Sequence, residues 1–193
     1  MTKWLLATRN EGKLREFRTL LAPFRIEVLG LRELALSGEA EETGSSFAEN
    51  ARLKAFFYSG ATELPVLGDD SGLEVFALDG RPGVHSARYA GTHATDADRI
   101  RKLLRDIRSA GEERNARFVC ALALVHQGRI LAEAEGTCEG VILEEPRGEQ
   151  GFGYDPVFYL SDLGKSFAEL DEAEKNSRSH RGNAVRRLIA RLE

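Results

Sequence analysis

Phe118-Val119-Cys120-Ala121-Leu122-Ala123-Leu124-Val125 is a run of eight apolar residues without a break. A strand with one wet face alternates apolar and polar residues, so an unbroken run of this length reads as a central strand covered on both faces. Gln127-Gly128 then turns the chain, and Ile130 to Ala134 reads as the hairpin partner. Upstream, strands and helices alternate. Lys3 to Ala7 is a short buried strand. Leu14, Phe17, Leu20 and Leu21 recur at i, i+3, i+6 and i+7, one face of a helix that Pro23 closes, and Ile26 to Leu29 forms a second strand. Ser46 and Glu49 have capping-box spacing, which starts a helix with Phe47, Ala51 and Ala55 on one face. Pro65-Val66-Leu67-Gly68 reads as a short strand running into Asp69-Asp70-Ser71-Gly72, and Leu73 to Leu78 as another strand. Asp79-Gly80-Arg81-Pro82-Gly83 is turn chemistry.

Thr95 caps a helix with Ile100, Leu103, Leu104 and Ile107 on its inner face. Gly148 to Asp155 is a Gly-rich aromatic loop. Val185, Leu188, Ile189 and Leu192 give a final amphipathic helix, with Ser179 as its N-cap. Early alternation followed by a late hairpin predicts an α/β fold with a mixed sheet. There is no internal repeat, low-complexity tract or linker, and 193 residues suit one domain over 1–193, or one with a modest second lobe.

Composition narrows the function. Lys plus Arg number 27 against 31 Asp plus Glu, for a net charge of −4, which argues against a protein that coats nucleic acid or an anionic membrane. No apolar run reaches the roughly 20 residues that span a bilayer. Met1 to Ala7 is too short and too quickly polar for a signal peptide. Cys120 and Cys138 lack CxxC spacing, so two structural thiols in a reducing, cytoplasmic compartment are expected. His85, His93, His126 and His180 never fall at metal-ligand spacing, and no structural zinc site is expected.

Several segments carry candidate chemistry. Thr8-Arg9-Asn10-Glu11-Gly12-Lys13 leaves a buried strand and opens a helix. Unpaired N–H groups at a helix start suit phosphate, and Lys13 adds a full charge with only Glu16 as an obvious local acid. The segment equally fits an ordinary strand–helix turn, and it lacks the first Gly and the Ser/Thr of a Walker A loop. Asp69-Asp70-Ser71 can hold Mg²⁺ through oxygen ligands or activate a water, or it can be a self-bonded turn. If it is extended, the two carboxylates point to opposite faces, one to the site and one bracing it. Glu39, Glu41 and Glu42 precede a helix, where acids are favourable, and one of them could join Asp70 around a metal.

Gly151-Phe152-Gly153-Tyr154-Asp155-Pro156 offers aromatic faces for a base and an acceptor in Asp155, or else a tight loop anchored by core aromatics. Lys175 and Ser179-His180-Arg181-Gly182 put cations at a helix start, either a solvated basic face or, since cations are unfavourable there, a hint of an anionic ligand. Arg181 has a planar donor fork, His180 there tends to neutrality, and Arg88 sits in a loop after Pro82-Gly83. Cys120, mid-strand, is a poor nucleophile.

In combination, T-x-N-x-x-K, E-E-T-G, F-x-E-N-A-x-x-K-A, D-D-S-G-L, P-G-x-x-S-A-R-Y, G-F-G-Y-D-P and S-H-R-G run in order from Ala7 to the last helix. The chain resembles the inosine/xanthosine triphosphate pyrophosphatase family. That resemblance implies a two-lobed α/β fold with an elongated mixed sheet flanked by helices and an active site in the cleft between lobes. It implies a homodimer that uses Mg²⁺ to hydrolyse ITP, dITP and XTP to the monophosphate and pyrophosphate. It places Thr8, Arg9, Asn10, Glu11, Gly12 and Lys13 on the triphosphate, and makes Asp70 both the acceptor that activates water and a metal ligand. Glu41 is the second metal ligand it implies, with Glu42 left open. Asp69 supports Asp70, and Ser71 contacts substrate. Phe152, Gly153, Tyr154 and Asp155 form the base and ribose loop, and Lys175, His180 and Arg181 complete base recognition. The chain departs from the family at Arg9, where glycine is frequent, and at His85, where tyrosine is often found. Other readings remain: a pyrophosphatase for other modified nucleotides, or a nucleotide-binding regulator that does not hydrolyse.

Overall fold

A computed structural model describes residues 2–192 of the protein. Its strands are β1 (Thr2–Leu6), β2 (Ile26–Gly30), β3 (Val66–Val75), β4 (Asn115–His126), β5 (Arg129–Ile142), β6 (Phe158–Leu160) and β7 (Lys165–Ser166). Its α-helices are α1 (Glu11–Leu21), α2 (Phe47–Ser59), α3 (Asp96–Ala110), α4 (Glu172–Arg178) and α5 (His180–Ile189). The strand order is β2-β1-β3-β4-β5-β6-β7, in one mixed sheet of seven. β1 pairs parallel with β2 and β3, whereas β6 pairs antiparallel with β5 and β7.

The chain divides into two compact units. The first holds the residues up to Asp70, Cys120–Gly136, and those from His180 on; the second holds Ser71–Val119 and Thr137–Ser179. In the first unit, α1 turns Leu14, Phe17, Leu20 and Leu21 onto a core with Trp4, Leu67, Leu122 and Leu188. In the second, α3 presents Ile100, Leu103, Leu104 and Ile107 to a core with Leu73, Phe118, Phe158 and Phe167. Each such side chain taken from water contributes about 1.5–3 kcal/mol. The helix caps expected at Ser46 and Thr95 both form. The Ser46 hydroxyl accepts from the Glu49 N–H at 3.2 Å, and Thr95 and Asp98 bond reciprocally.

Three sequence expectations change. Residues 66–75 form one ten-residue strand instead of two strands around a turn. Asp69 and Asp70 find side-chain partners on other elements, described below. β5 runs on to Ile142, well past Ala134. α4 went unrecognised although Asp171 and Glu174 form a capping box, with Glu174 N–H donating to Asp171 Oδ1 at 2.7 Å. Ser179 stands directly before α5, in the N-cap position expected of it, and is also the C-cap of α4.

Two glycines bring helices of the first unit onto its strands. A Cβ at Gly68 on β3 would lie 2.0 Å from the Ala51 carbonyl oxygen and 2.9 Å from the Ala55 nitrogen, both backbone atoms of α2. A Cβ at Gly136 on β5 would lie 2.2 Å from the Ala184 nitrogen and 2.3 Å from the His180 carbonyl oxygen of α5. The Gly68→Ala variant is therefore expected to lose about 2–3 kcal/mol of stability, because helix and strand must separate. Urea melts check this, and an unchanged midpoint would contradict the packing.

Candidate active site

β1 leads through Ala7 into the segment Thr8–Asn10, and α1 begins at Glu11. Asn10 is the N-cap: its Oδ1 accepts from the Lys13 N–H at 3.0 Å, while its own N–H donates to Thr8 Oγ1 at 3.2 Å. Capping thus fixes the first turn of α1, which contains Gly12 and Lys13. Glu11 pairs at the surface with Arg32. Arg9 donates from Nη2 to the Gly38 carbonyl at 2.6 Å, an oxygen that also accepts from Tyr58 Oη at 3.0 Å. That contact ties the segment to the chain leading into Glu41 and Glu42.

From the first turn of α1, Lys13 Nζ reaches Asp69 Oδ2 at 2.5 Å, and the Cys120 thiol donates to Asp69 Oδ1 at 3.3 Å. The next residue is served from the other side. Lys54 Nζ lies 2.8 Å from Asp70 Oδ1, 3.0 Å from Glu42 Oε1 and 3.1 Å from the Asp69 carbonyl oxygen. Asn50 Nδ2 donates to Asp70 Oδ2 at 3.2 Å. Strand alternation accounts for the division, since neighbouring side chains leave a strand on opposite faces. Glu42 is the loop acid that reaches this cation, and Glu41 is exposed.

Sequence reasoning gave Lys54 and Asn50 no role. The signal was present: Phe47, Asn50, Ala51, Lys54, Ala55 and Tyr58 are the buried positions of α2, a single helical stripe that two polar residues interrupt. Buried polar side chains imply partners. Lys13 also differs from its reading, because its acid is Asp69, not Glu16. Glu16 Oε2 instead pairs with Arg181 Nη1 at 2.8 Å, and both side chains are largely buried. The cation at the start of α5 is thus answered by a side chain of α1, so its unfavourable placement needs no external anion. His180 is buried beside it in the chain.

The two aspartates have opposite proton affinities. Burial pushes the Asp69 carboxyl up, but Lys13 foremost, with Arg181 and Lys54, outweighs it and holds the group well below the usual carboxylate range. Burial raises Asp70, and the lowering by Lys54 and Lys13 is not enough to reverse it. Environments that drive neighbouring acids apart are a mark of acid–base sites. Lys54 is raised: burial works against its charge, while Asp70, Glu42 and Asp69 favour it. The arrangement can therefore meet a polyanion with two lysines and keep one carboxylate ready to accept a proton.

The remaining residues singled out from sequence lie in the second unit. Ser71 follows Asp70 on β3. In the loop, Gly151 and Gly153 have φ of +79° and +66°, and a Cβ at Gly151 would meet Asp155 Oδ2 at 2.1 Å, so this path requires glycine. Asp155 Oδ2 accepts from the Phe152 N–H at 2.9 Å and from Lys175 Nζ at 2.7 Å. The Gly153 N–H donates to Asp96 Oδ2 at 2.7 Å. Tyr154 is buried in the core, and its hydroxyl donates to the Ser86 carbonyl at 2.9 Å. Phe152 is half-buried, with Lys175 Nζ 5.3 Å from its ring centroid. Among the described residues, no three His, Cys, Asp or Glu side chains converge as a metal cage, and no helix is long and apolar enough to cross a membrane.

Fold and site define an α/β protein in which two lysines face a pair of adjacent buried acids with opposed proton affinities. The chain belongs to the Ham1 family, whose model matches residues 4–191. It is 53% identical over 194 residues to a dITP/XTP pyrophosphatase of Geobacillus kaustophilus, covering 100% of this chain and 95% of that one. It is 53% identical over 188 residues to a dITP/XTP pyrophosphatase of Thermus thermophilus, covering 97% and 90%. Among solved structures, a HAM1 protein from Coxiella burnetii matches with a TM-score of 0.89 at 44% identity, covering 100% of this chain and 98% of that one. The Staphylococcus aureus Ham1 protein matches with a TM-score of 0.86 at 41% identity, covering 99% and 98%.

The Asp69 pairing has a pH signature. Its folded pKa lies below the unfolded value of about 3.9, so its stabilisation is present above about pH 4 and drains away as pH falls. Asp69→Asn is expected to cost about 3 kcal/mol near neutrality, because Lys13 loses its buried partner, and to flatten this acid-side slope. Urea melts across the acid range test both, and a variant with the parental slope would refute the assignment.

Proposed function

We infer that this protein hydrolyses noncanonical purine nucleoside triphosphates (dITP, ITP and XTP) to the monophosphate and pyrophosphate, and so keeps them out of DNA and RNA. The observation that carries the reading is the adjacent pair Asp69 and Asp70, one locked to Lys13 and the other poised to take a proton beside Lys54. A carboxylate in such a place serves a reaction, whereas a simple binder of polyanions gains nothing from it.

The Thr8–Lys13 segment holds the triphosphate, with Lys13 and the N–H groups opening α1 on phosphate oxygens. Lys54 adds a second positive charge, and Ser71 contacts substrate. Asp70 accepts the proton of a water that attacks the α-phosphorus. The bond to the bridging oxygen breaks, and pyrophosphate leaves. A Mg²⁺ ion fits the donors present, because Asp70 and Glu42 already meet around one cation, Lys54, and this ion takes one or two carboxylates plus substrate phosphates, not a protein cage. Asp70 and Glu42 would hold it, with Glu41 adjacent in the chain; when bound it supplies charge neutralisation at the phosphates.

In the first unit, His180 and Arg181 read the base; in the second, Phe152 offers a stacking face on a loop whose Asp155 is held by Lys175. Tyr154 serves by anchoring that loop. Hypoxanthine and xanthine carry an acceptor at the 6-position where adenine carries a donor, so donors aimed there reject adenine by leaving buried groups unpaired. The enzyme works in the cytoplasm as a homodimer. Leu53, Phe56 and Phe57 on α2 leave apolar surface exposed that a second copy could cover.

Pyrophosphate release from ITP, dITP, XTP, GTP, ATP and dTTP, with Mg²⁺ and with chelator, tests the reading. Fast Mg²⁺-dependent release confined to the first three is expected, and no release from any of them would overturn it. Asp70→Asn is expected to lower kcat about 100-fold or more while leaving the melting temperature nearly unchanged. Because burial raises Asp70 from its ordinary value of about 3.9, activity is expected to fall on the acid side at a pH above that value. Lys54→Met removes a lowering influence and moves that limb to higher pH, as kcat–pH profiles would show; an unmoved limb excludes Asp70 as the titrating base.

A further inference from the structure

We propose that Cys120 is a positioning residue for the phosphate site, its thiol holding the Asp69 carboxylate in the orientation that aims Lys13. Cys120 sits inside β4 with no exposed surface, and its Sγ lies 3.3 Å from Asp69 Oδ1. The other oxygen of the same carboxylate carries Lys13 Nζ at 2.5 Å. A carboxylate held at both oxygens turns less freely about its Cβ–Cγ bond than one held at a single oxygen, and a lysine paired to it follows. The thiol adds a neutral donor to that hold without neutralising the charge that Lys13 needs.

Burial, and after it the charge of Asp69, raises the thiol pKa well above its ordinary value, so the group stays protonated and donates. A buried lysine or arginine at 120 would compete with Lys13 for the carboxylate. A methyl or isopropyl group would leave Oδ1 without this donor. A hydrophobe-sized donor satisfies both the packing of a strand covered on two faces and the polar demand of one oxygen.

This inference rests on the reading of Lys13 as a phosphate ligand. Four variants test it by steady-state kinetics on dITP with thermal melts: Cys120→Val, Cys120→Ser, Lys13→Met, and Cys120→Val combined with Lys13→Met. Loss of a hydrogen bond to a charged group is expected to cost Cys120→Val about tenfold in kcat/KM, mostly through KM. Cys120→Ser keeps a donor and should recover most of that loss. In the Lys13→Met background, Cys120→Val should cause no further fall.

Equal losses in the Val and Ser variants, or an undiminished loss in the Lys13→Met background, would overturn the inference. If Lys13→Met leaves KM unchanged, the phosphate reading fails and the inference falls with it. If Lys13→Met raises KM while Cys120→Val does not, the positioning role alone fails. Should Cys120→Val not fold, infrared spectroscopy of a Cys138→Ser protein reads the one remaining thiol directly. A Cys120 S–H stretch shifted to lower frequency in the folded protein than in the unfolded one supports the inference, and an unshifted band refutes it.

Discussion

A side chain of even one carbon at position 68 would drive into the Ala51 carbonyl, so α2 rests on β3 only because Gly68 has none. Every polar contact between these two elements follows from that approach. Ala51 and Ala55 present a flat surface to the strand, and the flanking Asn50 and Lys54 are then long enough to reach Asp70. Gly136 plays the same part beneath α5, whose first residues are His180 and Arg181. Close packing converts two missing side chains into the placement of four buried polar ones, because interiors packed at crystal density transmit a fraction of an ångström directly.

Electrostatics then separates two residues that are chemically identical. Asp69 and Asp70 are neighbours, both buried, and burial alone would raise both. Asp69 faces Lys13 with Arg181 nearby and is held ionised; Asp70 faces Lys54, which it shares with Glu42, and keeps a raised proton affinity. The division arises from strand alternation, which sends one carboxylate toward α1 and β4 and the other toward α2. One acid is then a fixed counter-charge while the other keeps a raised affinity for a proton.

Much of this was legible along the chain. Periodic apolar residues located α1, α3, α5 and the central strand β4, a capping box located the start of α2, and Thr95 as a cap located that of α3. The ordered motifs from Thr8 to Arg181 pointed to the family that the full-length matches establish. Two local readings were overridden by tertiary partners. Asp69-Asp70-Ser71-Gly72 reads locally as a turn, because acids, serine and glycine favour self-bonding in isolation. It forms mid-strand because Lys13, Cys120, Asn50 and Lys54 supply better partners. Tyr154 reads as a face for a base, yet its ring belongs to the second unit's core and its hydroxyl to the Ser86 carbonyl.

The sequence by itself determined which residue types would be available and on which elements: a lysine in the first turn of a capped helix, two acids ending an apolar run, glycines around Phe152. Those features depend on neighbours a few residues away, where periodicity and capping act. Only the tertiary structure decided the pairings, giving Lys13 to Asp69 and Glu16 to Arg181, drawing Lys54 between Asp70 and Glu42, and setting Cys120 against Asp69. Charge attraction is nearly indifferent to sequence distance, and its strength depends on which groups are dried together, so partners separated by 165 positions, as Glu16 and Arg181 are, become visible only once the chain has folded.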